Sequence, residues 1–431
     1  MLDLNETLYF SSINFNGYIN PFWSGIYERT STGGKFAIDL ARRFNPNRFV
    51  SRNESIWTTP WPQEIIPKYA TPEPNKNFKL SFSECSDLKA LDIKRRINEK
   101  NEKFAILWSG GLDSTPMLIS CLKNLTPAEL ENIYVCTSIA AIVENPSFWK
   151  KYIYGKLKVL DTPKAKYDWL ILNGFTPVTA DDGDCIFGTA IGLGLYNNWE
   201  FYANNAGLSS ESFAHLRSII PRFNDSEVHY SQFKDLLISY FSIPPNQGFP
   251  IVGQAYPDPD FGRKLYNKFD LNCRTAPVEI RSLHDFFWWM IFNVKCLNCS
   301  VRNSVYFNND VNPGQAILAQ ENWYNDVLFQ KWSMNNNNNG VKIGNSSSTY
   351  KQAARDYIFE FDKNLWYKTF KIKLPSMNIV TMQQGVDAGS LNGRPSERFG
   401  LTKDWRLLFT HDPDVKNYIE YHLDKFVIDW E

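Results

Sequence analysis

The stretch Phe104-Ala105-Ile106-Leu107-Trp108-Ser109-Gly110-Gly111-Leu112-Asp113-Ser114 is read first. Phe104 to Trp108 is a short unbroken apolar run, the pattern of a strand covered on both faces of a parallel sheet. The run breaks at a Gly pair, and helical spacing resumes from Thr115 to Leu122. Pro116 suits a first helical turn, where a missing N–H costs nothing. A strand, a Gly pair and a helix N-terminus bring backbone N–H groups and the positive end of a helix dipole to one spot, which favours an anion. The hydroxyls of Ser109, Ser114 and Thr115 add donors there. Asp113 meets phosphate only through a cation, so this loop is expected to cradle pyrophosphate beside magnesium. The Gly-Lys-Ser/Thr ending of a Walker loop is absent.

On either side the pattern alternates. Ser83 to Lys100 reads as an amphipathic helix with Leu88, Leu91 and Ile97 on its apolar face. After the loop come strands at Ile133–Cys136, Lys158–Leu160 and Phe175–Thr179, separated by helices at Ser147–Tyr154 and Lys166–Leu172. Strand and helix in alternation imply an α/β domain with a parallel sheet, placed at 84–200. Residues 1–83 are rich in Pro and aromatics and are expected to be irregular, with one short helix at Phe36–Phe44. Residues 201–431 are expected to be mostly helical, over 229–241, 281–294, 314–332 and 349–372, with an exposed loop at Asn335–Asn339.

Composition limits the functions available. Lys plus Arg number 46 and Asp plus Glu 46, a formal net charge of zero, whereas gripping nucleic acid calls for a basic excess. No apolar run approaches a membrane span; the best candidate is Phe286-Phe287-Trp288-Trp289-Met290-Ile291-Phe292-Asn293-Val294, expected to be core. The 7 cysteines form no disulfide framework, and the N-terminus lacks a secretory pattern, so a cytoplasmic location is expected. Cys296 and Cys299 form a lone CxxC whose packing role outweighs zinc. The histidines make no close metal-binding pair, and Arg274, Arg281 and Arg302 read as surface charges.

Ser109 to Ser114 resembles the SGGxDS loop of the PP-loop ATP pyrophosphatases, which split ATP between its α and β phosphates. Thr179-Ala180-Asp181-Asp182-Gly183-Asp184-Cys185-Ile186-Phe187-Gly188 in turn resembles the TGDGGDELFG segment of asparagine synthetase-type domains. It departs at Ala180, Asp182 and Cys185. The resemblance implies a PP-loop, adenine nucleotide alpha hydrolase-like α/β fold with ATP and Mg²⁺ as cofactors. Ser109, Gly110, Gly111, Ser114 and Thr115 would bind pyrophosphate, and Asp113 and Asp184 magnesium. Leu107, Thr137 and Thr179 would lie near adenosine, and Asp181 near the acyl-adenylate. The family also uses a late lysine, for which Lys371 and Lys373 are the candidates; a lysine offsets charge developing in the transition state.

The glutaminase that precedes such domains in glutamine-dependent enzymes has a Cys after the initiator Met; here residue 2 is Leu and no Cys occurs before Cys85. The expected reaction is therefore adenylation of a small-molecule carboxylate, followed by attack of an amine or of ammonia, free or supplied by a separate protein. Alternatives are a PP-loop enzyme modifying a nucleobase or tRNA, and a nucleotide-binding homologue without turnover.

Overall fold

A computed structural model of the protein describes residues 71–137, 139–161, 167–180, 182–188, 195–196, 198–242, 245–246, 249–250, 260–294, 319–336, 342 and 350–370. The helix expected at Phe36–Phe44 lies outside them, as does most of the Asn-rich tract. The described residues divide into two compact units.

The first unit carries α1 (Phe82–Lys100), β1 (Lys103–Leu107), α2 (Ser114–Asn124), β2 (Ile133–Thr137), α3 (Ile139–Glu144), β3 (Lys158–Asp161), α4 (Tyr167–Leu172) and β4 (Phe175–Thr179). A two-residue strand, β5 (Glu321–Asn322), joins β4, giving an all-parallel sheet of order β3-β2-β1-β4-β5. An α/β fold with a parallel sheet is thus present. Phe104 and Ile106 of β1 are buried on one face, while Ala105 packs with Cys136, Leu160 and Leu170 on the other. Burial on both faces is why the β1 sequence is continuously apolar.

The helix α1 starts at a capping box: the Ser81 hydroxyl accepts from the Glu84 N–H at 3.2 Å, and the Glu84 carboxylate accepts from the Ser81 N–H at 2.7 Å. Its buried stripe differs from the expected one. Phe82, Cys85, Ser86, Lys89, Ala90, Ile93 and Ile97 face inward, whereas Leu88 and Leu91 are 41% and 43% exposed. The stripe follows the i, i+3, i+4 rule, but two of its members are Ser and Lys, which hides it from an apolar count. Lys89 is buried because it reaches Glu321 at 2.7 Å, and Arg96 bonds both Glu321, at 3.1 Å, and Glu102.

These ion pairs explain why 321–322 is a strand and not part of the helix expected over 314–332. Two residues of β-ladder are held to the sheet edge by two cations from α1. The helix itself runs later, at Val327–Asn335.

The second unit contains α5 (Gly183–Phe187), α6 (Lys234–Ser242), α7 (Phe261–Arg274), α8 (Leu283–Val294) and α9 (Val327–Asn335). Phe286 to Phe292 of α8 are buried, as expected of a core stripe. The two indole N–H groups within it are satisfied, Trp288 donating to Ser333 Oγ at 2.8 Å and Trp289 to the Asn272 carbonyl at 3.2 Å. The chain then returns to the sheet unit with α10 (Gln352–Asp362) and α11 (Leu365–Phe370). The single helix expected over 349–372 is broken between them, where Lys363 takes a φ of 58°. No helix among the described residues is long and apolar enough to cross a membrane.

Candidate functional site

From β1 the chain steps outward to β2 and β3, then crosses back to place β4 on the other side of β1. Such a reversal leaves a crevice at the C-terminal ends of the two strands flanking it, here β1 and β4. Leu107 ends β1, Thr137 ends β2 and Thr179 ends β4, so the sequence-predicted adenosine residues share one edge of the sheet. Thr137 is 1% exposed, and its Oγ1 has no hydrogen-bond partner among the described residues. A buried hydroxyl left unbonded costs about 1–3 kcal/mol, so Thr137 fits a place where a ligand supplies the partner.

The loop Trp108–Asp113 leads from β1 into α2. Trp108 continues the ladder, its N–H donating to the Cys136 carbonyl at 2.8 Å, and its indole N–H donates to Thr115 Oγ1 at 3.2 Å. Gly110 has φ 71°, and a Cβ there would stand 2.1 Å from the Ala141 carbonyl oxygen of α3. Only glycine fits both the backbone angle and the space. Ser114 Oγ accepts from the Ser109 N–H at 3.0 Å and lies 3.0 Å from Ser109 Oγ, which accepts from the Gly111 N–H at 3.3 Å. The loop therefore gathers two hydroxyls and backbone N–H groups at the N-terminus of an eleven-residue helix. No acid occupies the first turn of α2, and the Asp113 side chain makes no capping bond to it. The positive end of that helix favours an anion.

The second motif is built differently. Asp182 begins α5 with φ −79°, an angle open to any residue, and its side chain is buried. The departure from glycine at 182 thus needs no strained backbone. Gly188 has φ 76°, and a Cβ would meet His284 Nε2 at 2.9 Å and Trp288 Cβ at 3.1 Å. Ser333 Oγ donates to the Ile186 carbonyl at 2.6 Å, and His284 bonds the Phe187 backbone. Burial, then the charge of Lys342, pushes the His284 imidazole down to about 3, so it is neutral at ordinary pH. Asp184 in α5 pairs with Lys351 Nζ at 2.8 Å, and Lys351 is almost wholly buried.

Hard oxygen donors suit magnesium, which is commonly held by one or two carboxylates plus phosphate oxygens. Asp113, half-buried at the loop, and Asp184 have that chemistry. Among the described residues there is no cluster of three His, Cys, Asp or Glu side chains, so a resident all-protein cage is not built there.

Asp181, Lys371 and Lys373 lie outside the described residues, as do Cys296, Cys299 and Arg302. Arg274 and Arg281 are engaged by Asp270 at 2.9 Å and Glu279 at 2.7 Å. Sequence reasoning missed two residues. Asn322 of β5 sits beside Thr179 on the strand-end edge, and Lys351 meets Asp184. Neither stands in a motif; only the long-range pairing reveals them. Burial pushes the Cys121 and Cys136 thiols up to about 12 and Cys273 well above its ordinary value, which removes them as thiolate nucleophiles. Comparison with protein-family models, curated proteins and solved structures gives no match to this chain.

Proposed function

We propose that the protein is a magnesium- and ATP-dependent ligase of the PP-loop, asparagine synthetase-like kind, which adenylates a carboxylate and forms an amide. The observation that carries this reading is the Ser109–Ser114 loop. A glycine in left-handed conformation, two convergent serine hydroxyls and an uncapped helix N-terminus sit at the reversal point of a parallel sheet.

In this reading Gly111 N–H, Ser109 Oγ and Ser114 Oγ hold the β and γ phosphates of ATP. The ribose and base lie along Leu107, Thr137 and Thr179, where Thr137 Oγ1 gains its missing partner. A carboxylate oxygen of the acid attacks the α-phosphorus, the bond to the bridging oxygen breaks, and pyrophosphate leaves with that electron pair. An amine or ammonia then attacks the acyl carbon, loses a proton, and AMP departs. Asp113 and Asp184 are the proposed carboxylates that would hold magnesium, which would supply positive charge against the pyrophosphate. Preorganised donors aimed at developing charge contribute roughly 3–4 kcal/mol each to such a step. Lys371 or Lys373 is the proposed lysine of amide formation, with Asp181 beside the acyl-adenylate. Lys351 adds a cation against Asp184. The proposed setting is cytoplasmic, with ammonia, free or from a separate protein, or an amine as nitrogen source and no nucleic acid as partner.

ATP–pyrophosphate exchange across a panel of small carboxylic acids, with and without ammonia, tests this. One acid is expected to stimulate exchange, and Asp113→Ala to abolish it. Exchange with no acid, or undiminished exchange in Asp113→Ala, would overturn the reading. A nucleotide-binding protein without turnover is the second reading, supported by Lys351, which already supplies Asp184 with a positive charge. It predicts ATP binding with no pyrophosphate release. Nucleobase sulfuration draws no support from Cys121, Cys136 or Cys273, whose thiols are buried and held protonated.

A further inference from the structure

Tyr367, in α11, is 1% exposed, and its hydroxyl donates to the Gly110 carbonyl at 2.8 Å. That carbonyl and the Gly111 N–H belong to one peptide unit. Because the unit is planar and trans, fixing the carbonyl on one side sends the N–H to the other. The Gly111 N–H does face the opposite way, toward Ser109 Oγ, which lies against Ser114 Oγ. We infer that Tyr367 is a positioning residue that locks the Gly110–Gly111 peptide plane, so that the Gly111 N–H stays turned toward the pyrophosphate of ATP; this rests on the pyrophosphate-binding reading of the loop.

The physical need for such a lock is plain in the sequence. A peptide flanked by two glycines rotates with little steric resistance, since neither residue has a Cβ to forbid the alternative angles. A flipped plane would put the Gly110 carbonyl oxygen where the N–H stands and present negative charge to an anion. A buried carbonyl with no donor invites that flip, because the turned oxygen would find new partners. Tyr367 is itself anchored at both ends of its short helix. Its N–H donates to Asn364 Oδ1 at 3.0 Å, and Arg355 Nη1 donates to the Lys368 carbonyl at 2.6 Å. Tyr367 also stands four positions before Lys371, so the chain that carries the proposed catalytic lysines carries the lock as well.

Tyr357 provides the control. Its buried hydroxyl bonds Asp87 at 2.5 Å and Ser120 at 3.1 Å, not the loop. The experiment is calorimetric titration of the full chain with magnesium pyrophosphate and, separately, with adenosine, in wild type, Tyr367→Phe and Tyr357→Phe, with melting temperatures measured in parallel. Tyr367→Phe is expected to bind pyrophosphate about tenfold more weakly while adenosine affinity stays within about twofold, as the loss of one positioning hydrogen bond should give. Tyr357→Phe is expected to lower the melting temperature and leave pyrophosphate affinity within about twofold. Unchanged pyrophosphate binding in Tyr367→Phe, equal weakening for both ligands, or equal weakening in Tyr357→Phe would overturn the inference. A wild-type chain that binds no pyrophosphate would instead remove the reading beneath it. If Tyr367→Phe does not fold, amide hydrogen exchange of the wild type decides: the Gly111 N–H should slow when pyrophosphate binds, and an unchanged rate contradicts the lock.

Discussion

The loop at Ser109–Ser114 and the segment at Asp182–Gly188 both end a short element with a glycine in left-handed conformation, yet they are held in opposite ways. The first is largely self-made. Ser109, Gly111 and Ser114 bond one another within six residues, while Ala141, Glu144 and Tyr367 press on it from elsewhere in its unit. The second depends on partners far along the chain: His284 and Trp288 against Gly188, Ser333 on the Ile186 carbonyl, and Lys351 on Asp184. A self-made loop shapes itself with the same polar groups that it can offer a ligand. A segment clamped by distant partners places a side chain and contributes mostly to stability.

Substitutions at the two glycines break this comparison most sharply. Gly110→Ala forces a Cβ into the Ala141 carbonyl and a left-handed angle on alanine. Strain and overpacking each cost roughly 1–3 kcal/mol, and magnesium-ATP affinity is expected to fall by about 100-fold in calorimetric titration. Gly188→Ala meets the less severe contacts of 2.9 and 3.1 Å at His284 and Trp288. It is expected to destabilise the chain by about 2–3 kcal/mol in chemical denaturation. Its effect on ATP affinity should be the smaller of the two. Equal loss of binding at both sites would erase the distinction.

Acid should act on the clamped segment first. The folded pKa of His284, about 3, lies below the ordinary value of 6.5. The stability it contributes is therefore present above pH 6.5 and lost as pH falls toward 3. Between pH 7 and pH 5 the loss is about 2 kcal/mol. Denaturation midpoints across that range should show it in wild type, and His284→Asn should flatten the slope.

The smallest effect belongs to Ser109→Ala. Its hydroxyl supports Gly111 and Ser114, but the backbone donors remain, so ATP affinity should drop by about three- to tenfold with stability nearly unchanged. A loss as large as that of Gly110→Ala would mean that the hydroxyl, not the backbone, forms the cradle.

The same contrast explains what the sequence made legible. The loop could be read because its strand, glycine pair and helix start fall within the contiguous stretch Phe104–Ser114. The four strands β1 to β4 were readable for the same reason: each is a short contiguous segment set between helical stretches. The strand β5 was not, since two residues have no periodicity and Glu321 is fixed by Lys89 and Arg96, more than two hundred positions away. The apolar face of α1 was misjudged because a buried lysine and serine sit in its stripe, while Leu88 and Leu91 face outward. Lys351 was invisible as a lone lysine inside the helix expected over 349–372, whereas its φ of 58° puts it just before that helix begins. Local chemistry survives in a string of residues; chemistry assembled across the fold does not.

The most direct test of the central claim is a crystal structure of the full chain with magnesium and α,β-methylene-ATP. The β and γ phosphate oxygens are predicted to lie within about 3.2 Å of the Gly111 nitrogen and Ser114 Oγ, at hydrogen-bond distance. A nucleotide bound with its phosphates away from the Ser109–Ser114 loop would contradict the account.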